Sequence, residues 1–310
     1  MSKEGINTLR RVAISGAGGF VGRALVPALE TQSIDVLSLV RRSPSGPDEL
    51  QWDTQQGVHD LEALSAANID AVIHLAGENV ASGPWTKARK QRIYSSRVEG
   101  TRALVKSLQA LDKPPHTFLC ASGISIYPDD PEACYDESGP QGESFLAEVC
   151  RDWEAAAAEA AHWGARVVCL RIGPVLGAQG GMLERMLPMF RLGLGAVVGR
   201  GDNIVSWISH DDLTRVCLHC LQTTSLMGPV NAVAPHPVTQ AELAQRLAHH
   251  LKRPAWLKMP ALPMRWVLRD AVDEMLLASQ RVRPQALLDS GFVFQQAQLD
   301  DALQHVLAQS

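Results

Sequence analysis

Three glycines near the start of the chain have the spacing of a nucleotide-binding turn. The turn contains Gly16, Gly19, Phe20, Val21 and Gly22; it follows a short apolar run and precedes a segment with helical apolar spacing. The first two glycines permit a tight turn that a pyrophosphate can approach, and Gly22 permits close packing of helix on strand. The helix N-terminus adds unpaired N–H groups and a positive partial charge. This context predicts a dinucleotide site, whereas a purely structural turn is the alternative.

Two arginines end the next apolar run, at the point where this kind of site selects its cofactor. An acidic residue there would bind the ribose 2′-hydroxyl of NAD, and an arginine would accommodate the 2′-phosphate of NADP. Arg41 and Arg42 occupy that point, Asp35 lies near the start of the run, and the next carboxylate is Asp48. The pair predicts NADP(H) rather than NAD as the cofactor. Two solvated surface arginines are the alternative interpretation.

The elements that must position these residues alternate along the first part of the chain. Near-continuous apolar runs predict buried strands at 11–15, 34–40, 71–76, 117–121 and 166–171. Helical spacing predicts helices at 21–31, 61–67, 91–111 and 144–163. This alternation indicates βαβ units, and therefore an α/β fold with a Rossmann-like, doubly wound parallel sheet. After Gly173 the pattern changes, and helices at 239–251 and 263–280 indicate a smaller C-terminal lobe.

The composition is ordinary for a globular protein. Of the 310 residues, 46% are hydrophobic and 20% are charged, and the formal net charge is -4. This weak acidity argues against a nucleic acid or an anionic membrane as the main partner. No run of about 18 apolar residues occurs, and residues 1–11 lack an apolar signal core. Because six cysteines are too few for a disulfide scaffold, we expect a cytoplasmic protein with a small-molecule substrate.

Further motifs extend the pattern over nearly the whole chain. They are Leu75–Asn79, Ser96–Arg97, Trp153–Glu154, Arg171–Gly177, Phe190–Gly195, Asn231–Pro235 and Gly291–Phe294. With the glycine turn, and in this order, they resemble an extended short-chain dehydrogenase/reductase. Within that superfamily they are similar to the atypical branch of NAD(P)-dependent epimerase-family proteins, which carry a C-terminal domain of unknown function. The resemblance places a nucleotide-binding domain at residues 10–232 and the C-terminal domain at residues 250–306.

The resemblance also implies further contacts with the cofactor. They come from Leu75, Ala76, Arg97, Ile172, Gly173 and Pro174. Leu75 and Ala76 would end a strand over the adenine ribose and pyrophosphate, while Arg97 stands where relatives usually carry an asparagine. The exchange is chemically reasonable, because a guanidinium donates readily to phosphate oxygens. The backbone at 172–174 is expected beside the nicotinamide carboxamide.

The catalytic tyrosine and lysine of the superfamily are missing. Aligned on the family pattern, their positions hold Leu146 and Cys150, which cannot donate the proton or lower the pKa of a phenol. Ser122, Tyr127 and Glu78 are the candidate substitutes. The serine would polarise a carbonyl, the tyrosine would point into the same cleft, and the carboxyl would act as general acid if burial raised its pKa. A structural role in the loops is the alternative for each.

Two other groups invite a functional interpretation that we do not favour. Cys217 and Cys220 lie one helical turn apart with no second ligand pair at zinc spacing, which predicts core cysteines and no metal. Trp256 and Trp266, with Met259 and Met264, form an apolar patch in the last lobe. Packing in the core or in a homodimer is favoured for this patch over a substrate cage.

Together these features predict an NADP(H)-dependent oxidoreductase that acts on an unidentified small carbonyl or hydroxyl compound. A sugar-nucleotide epimerase is one alternative, but the missing tyrosine and lysine argue against it, because epimerisation needs proton removal and return. The other alternative is a non-catalytic, regulatory protein that senses NADP(H), which would suit the cell-division-related names of some relatives. Turnover of NADPH by carbonyl compounds would separate these classes.

Overall fold

A mainly parallel sheet of eight strands runs through the computed structural model, which describes residues 9–255 and 257–309. In spatial order its strands are β13 (Gly228–Ala232), β8 (Arg166–Ile172), β6 (Thr117–Gly123), β5 (Ala71–His74), β1 (Arg11–Ser15), β2 (Asp35–Val40), β3 (Glu49–Asp53) and β4 (Gly57–Val58). Neighbouring strands are parallel except β3 and β4, which are antiparallel. The predicted Rossmann-like parallel sheet is confirmed.

Helices cover both faces of this sheet. In chain order they are α1 (Gly22–Glu30), α2 (Leu61–Ala66), α3 (Lys87–Gln109), α4 (Phe145–Ala158) and α6 (His210–Gln222), whereas α5 (Gly181–Arg191) packs in a separate apolar cluster with Leu176 and Trp207. One core layer contains Phe118 of β6 and Leu104 of α3, and the other contains Val12 of β1 and Leu25 of α1. The central strands are therefore buried on both faces, which explains why their sequences are almost continuously apolar.

Short strand pairs and further helices follow the last long strands. The strands are β7 (Asp130–Tyr135), β9 (Val175–Gly177), β10 (Ala196–Val198), β11 (Ile204–Val205), β12 (Ile208–Ser209), β14 (Val238–Thr239), β15 (Leu257–Met259) and β16 (Gln280–Val282). They pair as β7–β16, β9–β12, β10–β15 and β11–β14. The helices are α7 (Gln240–His250), α8 (Ala261–Leu268), α9 (Gln285–Asp289) and α10 (Leu299–Ala308). Because β16 pairs with β7, the C-terminal segment is tied to the loop that follows β6.

Two predicted helices differ from the observed ones. The helix predicted at 144–163 is an α-helix only to Ala158 and continues as a 3-10 helix over residues 159–163. The helix predicted at 263–280 is wrong, because α8 ends at Leu268, a π-helical turn covers Asp273–Leu277, and β16 follows. Arg269 interrupts the periodic pattern, since its φ of 59° lies outside the right-handed helical region. In the described part of the chain, every helix is too short or too polar to cross a bilayer.

Candidate functional site

The strand order creates a crevice at the carboxyl end of β1. Ser15, the last residue of β1, is paired with Leu39 of β2 on one side and with His74 of β5 on the other. From β1 the chain runs outward through β2, β3 and β4, and then returns to the opposite side of β1 at β5. Ligands of open parallel sheets bind at such a reversal, outside the carboxyl ends of the strands.

The glycine turn closes tightly against the end of β5. The amide of Gly19 donates to the carbonyl oxygen of Gly16 (2.9 Å), and Gly16 has a φ of +80°. A Cβ atom on Gly16 would lie 3.1 Å from the amide nitrogen of Ala76 and the carbonyl carbon of Leu75. A Cβ atom on Gly22 would overlap the Gly16 carbonyl oxygen. Side chains are therefore excluded at both positions, and the turn lies directly beside Leu75 and Ala76.

Backbone donors remain open at this turn. No side chain of the described residues caps the N-terminus of α1, and the amides of Phe20 and Val21 have no hydrogen-bond partner there. The space that a Cβ atom on Gly18 would enter is empty to 4 Å. Open amides at a helix N-terminus favour a bound anion. The turn therefore has the geometry and the partial charge of a phosphate site.

The aromatic residue of the turn anchors it to the second half of the chain. The ring of Phe20 stacks on the His210 imidazole with centroids 4.1 Å apart, and a His210 ring nitrogen lies 3.0 Å from the Phe20 carbonyl oxygen. A Cβ atom on Gly177 or Gly180 would overlap the Phe20 ring, and one on Gly181 would lie 3.1 Å from it. A cavity of about 270 Å³ opens on this outer side, beside Arg23. These contacts fix the turn against the second half of the chain.

The two arginines at the end of β2 are not equivalent. Arg42 forms a bidentate ion pair with Glu49 (Nη1–Oε2 2.7 Å, Nη2–Oε1 2.5 Å). Hydrogen bonds from Arg42 and from the amide and hydroxyl of Ser45 lower the pKa of Glu49 to about 2. Arg41 is exposed and has no ion-pair or hydrogen-bond partner among the described residues. Arg41 is thus the more available cation at this edge of the crevice.

Arg97 lies under the loop that leaves β5. Its Nη1 donates to the carbonyl oxygen of Glu78 (2.9 Å), and its guanidinium carbon lies 5.1 Å from the centre of the Trp153 ring. A Cβ atom on Gly77 would lie 3.1 Å from the same guanidinium carbon. Burial lowers the pKa of Arg97 below its usual value. This cation is therefore held against the backbone at the strand end, close to the crevice.

The carboxylate of Glu78 is held by arginines of α3. Its Oε1 accepts from Arg89 Nη1 (2.6 Å), and Arg92 Nε lies 3.8 Å away. Arg89 also donates to the Asn79 carbonyl oxygen and to the Ser82 hydroxyl. The carboxylate and the buried Arg89 therefore organise the loop after β5.

Ser122 and Tyr127 belong to one buried polar network. Glu154 Oε1 accepts from the Ser122 hydroxyl and from Arg171 Nε, both at 2.8 Å, and its Oε2 accepts from Arg171 Nη2 at 2.9 Å. Arg171 Nη1 donates to the Tyr127 hydroxyl (2.8 Å), which donates to Asn231 Oδ1 (2.7 Å). Burial is the main cause that raises the pKa of Tyr127. Both hydroxyls that the sequence singled out are thus bonded inside the protein.

A different residue of β6 lies beside the predicted catalytic positions. A Cβ atom on Gly123 would lie 3.4 Å from Cys150 Sγ, and both Cys150 and Leu146 are buried. Gly123 and Ser122 both lie against α4, since the Ser122 hydroxyl is bonded to Glu154, one helical turn after Cys150. Burial raises the pKa of Cys150 to about 11. Glycine, leucine and a protonated thiol therefore occupy the place where a proton donor was sought.

The segment expected beside the nicotinamide is held by its own backbone contacts. Gly173 donates its amide hydrogen to the Ala232 carbonyl oxygen (3.2 Å), and Pro174 accepts from the Ile208 amide (3.1 Å). A Cβ atom on Gly173 would lie 2.9 Å from Val233 Cγ1. Ile172 ends β8, so the segment does lie at the carboxyl edge of the sheet.

The cysteines and the tryptophan that the sequence analysis also discussed do not line the crevice. Cys217 and Cys220 are buried in α6, and the described residues contain no cluster of three or more groups suited to a metal ion. Trp266 is 87% exposed, so the prediction of core packing is wrong for this residue. Its packing in a homodimer stays a prediction, and Trp256 lies outside the described residues.

Comparison with known families accounts for most of the chain. The family described as "NAD dependent epimerase/dehydratase family" matches residues 12–232, and a domain of unknown function (DUF1731) matches residues 259–306. Epimerase family protein Mb2239 of Mycobacterium bovis is 39% identical over 292 residues, which cover 94% of this chain and 96% of that protein.

Two solved structures share the fold over the same extent. The human epimerase family protein SDR39U1, crystallised with NADPH, is 32% identical, with a TM-score of 0.88 over 97% of this chain and 100% of that one. A nucleoside-diphosphate sugar epimerase of Corynebacterium glutamicum is 33% identical, with a TM-score of 0.81 over 98% of this chain and 59% of that one.

Proposed function

The chain belongs to the NAD dependent epimerase/dehydratase family, as its motifs predicted, and we propose that it is an NADP(H)-dependent oxidoreductase acting on a small carbonyl or hydroxyl compound. The observation that carries the proposal is the crevice at β1, where open backbone amides and an unpaired arginine lie along one edge of the sheet. The NADPH complex of the human relative supports the same cofactor here.

Each part of the cofactor has residues suited to it. The pyrophosphate would lie on the turn of Gly16, Gly19 and Gly22, where the amides of Phe20 and Val21 are open. The 2′-phosphate would be bound by Arg41, with Arg42 beside it. A phosphate and a guanidinium form short, charge-assisted hydrogen bonds, and these favour NADP(H) over NAD(H).

The other predicted cofactor contacts lie at the carboxyl ends of β5 and β8. Leu75 and Ala76 would border the adenine ribose and pyrophosphate, and Arg97 would reach the phosphates from below the loop at Gly77. The backbone of Ile172, which ends β8, and of Gly173 and Pro174, which follow it, would lie beside the nicotinamide carboxamide.

The chemistry divides between the cofactor and this chain. NADP(H) supplies or accepts a hydride at C4 of its nicotinamide when it is bound. The chain would bind and orient the substrate, and Leu146 and Cys150 beside Gly123 give it an apolar surface. Since neither Leu146 nor Cys150 replaces the proton donor, the proton at the substrate oxygen would be exchanged with water. Glu78, Ser122 and Tyr127 would act as positioning residues, because each is bonded within the protein.

The experiment is a pair of measurements on the purified chain. Calorimetry with NADPH and NADH tests the cofactor, and the double variant Arg41→Ala with Arg42→Ala should weaken NADPH binding at least about tenfold while hardly affecting NADH. Arg102→Ala, an exposed arginine of α3, is the matched control. Equal losses for both cofactors would refute the phosphate assignment. Loss of nicotinamide absorbance with a panel of aldehydes, ketones and quinones tests turnover.

A second function is favoured by the residues at the missing catalytic positions. Because Gly123, Leu146 and Cys150 offer no proton donor, the site also suits a regulatory protein that binds NADP(H) without consuming it. Tight NADPH binding without turnover across the whole panel would favour this reading. The same residues weigh against sugar-nucleotide epimerisation, which must remove a proton and return it.

A further inference from the structure

Exposed apolar side chains are concentrated in one part of the surface. Among residues 9–255 and 257–309, eleven large hydrophobic residues are exposed, and seven of them come from the segments 189–194 and 259–267. The seven are Met189, Leu192, Leu194, Met259, Leu262, Trp266 and Val267. The two segments meet because β10 follows the first of them and pairs with β15, which ends at Met259. We call these seven residues the apolar surface.

Helix α8 contributes the most exposed part of this surface. No residue of α8 is buried, and Leu262, Trp266 and Val267 are 65%, 87% and 66% exposed. Large apolar side chains that are scattered singly need no explanation, but a contiguous group of them marks an interaction site. The helix therefore presents leucine, valine and an indole ring to a partner.

The charge around the apolar surface is mainly positive, although Glu184, Asp202, Glu242 and Asp270 directly flank its two segments. Residues 185–201 and 243–269 contain nine Lys and Arg and no Asp or Glu, although the whole chain has a net charge of -4. Arg200, Arg246 and Arg265 are paired with carboxylates from outside these segments. Lys252, Arg253, Lys258 and Arg269 are exposed and have no ion-pair partner within residues 9–255 and 257–309.

We propose that the apolar surface docks on an anionic lipid surface, with the side chains of α8 inserted and the neighbouring cations at the headgroups. Exposed Trp and Leu flanked by Lys and Arg are the side chains by which helices lie in a membrane interface. The net charge of the chain had argued against a membrane, but binding of this kind depends on the local charge, which is positive here.

Charge also argues against a second copy of this chain as the occupant of the apolar surface. A second copy related by a two-fold axis would place this surface against itself and bring its unpaired cations together, while Asp202, Asp273 and Asp300 are already bonded to arginines of the same chain. An acidic protein would satisfy the cations, but it would need a concave apolar pocket for the protruding α8. A fluid lipid interface satisfies both requirements without a matching shape.

The test is co-sedimentation of the full chain with vesicles. We expect binding to vesicles of phosphatidylcholine mixed with phosphatidylglycerol, weakening with salt, and little binding to phosphatidylcholine alone. Leu262→Ser with Trp266→Ser should reduce the bound fraction at least fivefold. Arg253→Glu with Lys258→Glu should reduce it about fivefold or more for each cation lost. Met227→Ser with Val293→Ser is the control, because these residues are equally exposed (70% and 71%) in other parts of the chain.

Each other outcome overturns the proposal. Absence of binding to the anionic vesicles contradicts it directly, and equal binding to neutral vesicles contradicts the role of charge. Binding that survives both double variants means that another surface is responsible. A dimer in size-exclusion chromatography that Trp266→Ser converts to a monomer assigns the surface to a second copy. NADPH affinity of the same variants should be unchanged, so this inference and the proposed function can fail separately.

Discussion

The two ends of the crevice differ in how far their polar groups are already satisfied. At the glycine turn, the amides of Phe20 and Val21 are open and Arg41 has no partner within the described chain. At the other end, the hydroxyls of Ser122 and Tyr127 are both bonded to neighbouring side chains. An unsatisfied polar group gains most from a ligand, whereas a satisfied one must first give up a bond.

This difference separates binding from positioning. The end of the crevice at the glycine turn, which we call the open end, offers unbonded donors to an anion. Its residues should affect cofactor affinity more than stability. The bonded end resembles part of the core, and its residues should affect stability more than affinity. Variants at each end of the crevice can test this division.

Removal of Arg171 should have the largest effect, and the effect should be on stability. The ion pair of Arg171 with Glu154 is buried, with side-chain exposures of 5% and 15%, so Arg171→Met leaves a carboxylate without its partner. We expect the free energy of unfolding to fall by about 3–5 kcal/mol in urea denaturation. NADPH affinity of the folded variant should stay within about twofold of the wild type.

A double-mutant cycle provides the control for this prediction. Glu154→Met combined with Arg171→Met removes both charges and should cost less than the sum of the two single changes. Additive losses would show that the pair is not coupled. A selective loss of NADPH affinity would mean that Arg171 contributes to ligand binding. That result would contradict the contrast between the two ends of the crevice.

Gly22→Ala should have the next largest effect, and here the effect should be on binding. The added methyl group overlaps the Gly16 carbonyl oxygen and lies 2.6 Å from Ala17 Cα, so the turn must shift. We expect NADPH affinity measured by calorimetry to fall about 100-fold, because a shifted turn loses charge-assisted hydrogen bonds to the pyrophosphate. Gly18→Ala, whose methyl group enters open space, should leave the melting temperature unchanged.

The sequence was a good guide wherever a feature is local. The glycine turn, the long strands of the sheet and the first helix follow from patterns within a few residues, and all of them are present. Strands β3 and β4 were not predicted, because Glu49–Asp53 and Gly57–Val58 are short and mixed in polarity. Strand β13 was also missed: the chain after Gly173 was expected to form only a separate lobe, but β13 returns to the main sheet and pairs with β8. The break after α8 was missed since nothing in the sequence distinguishes Arg269 as a residue with positive φ.

Features that depend on tertiary contacts were out of reach. The bonds that join Ser122, Glu154 and Arg171 connect residues 17 and 32 positions apart, and neither spacing is a local pattern. One signal was available and unused: Leu146, Cys150 and Glu154 recur every four residues, so a helix there places them on one face. Applied to that helix, it would have directed attention to Glu154 as the neighbour of the two positions where the catalytic pair is missing.

The buried histidine behind the glycine turn predicts a pH effect on stability. Burial lowers the pKa of His74 to about 3, and its Nδ1 lies 2.5 Å from the Ser15 hydroxyl. Between pH 6.5 and 3 the unfolded chain takes up a proton at His74 that the folded chain does not, so stability falls as the pH falls. The loss is about 1.4 kcal/mol per pH unit, or roughly 2 kcal/mol between pH 7 and pH 5.

Urea denaturation at the two pH values measures this difference. His74→Asn should remove most of the pH dependence, even if it lowers stability at both values, while the exposed His162→Asn should leave the dependence as it is. An unchanged slope in His74→Asn would mean that other groups cause the loss. The burial of His74 would then contribute nothing to the loss of stability at low pH.

The smallest expected effect is the difference between Arg41 and Arg42 in their contributions to NADPH binding. Because Arg42 is already bonded to Glu49, Arg41→Ala should weaken NADPH binding about tenfold and Arg42→Ala only a few-fold, as measured by calorimetry. Glu49→Gln tests the cause, since it frees Arg42 and should make the two single losses more alike. Equal losses in the unmodified background would mean that the Arg42–Glu49 pair opens when the cofactor binds. The open end of the crevice would then include a bond that must be broken, and the contrast with the Ser122–Glu154 end would be one of degree.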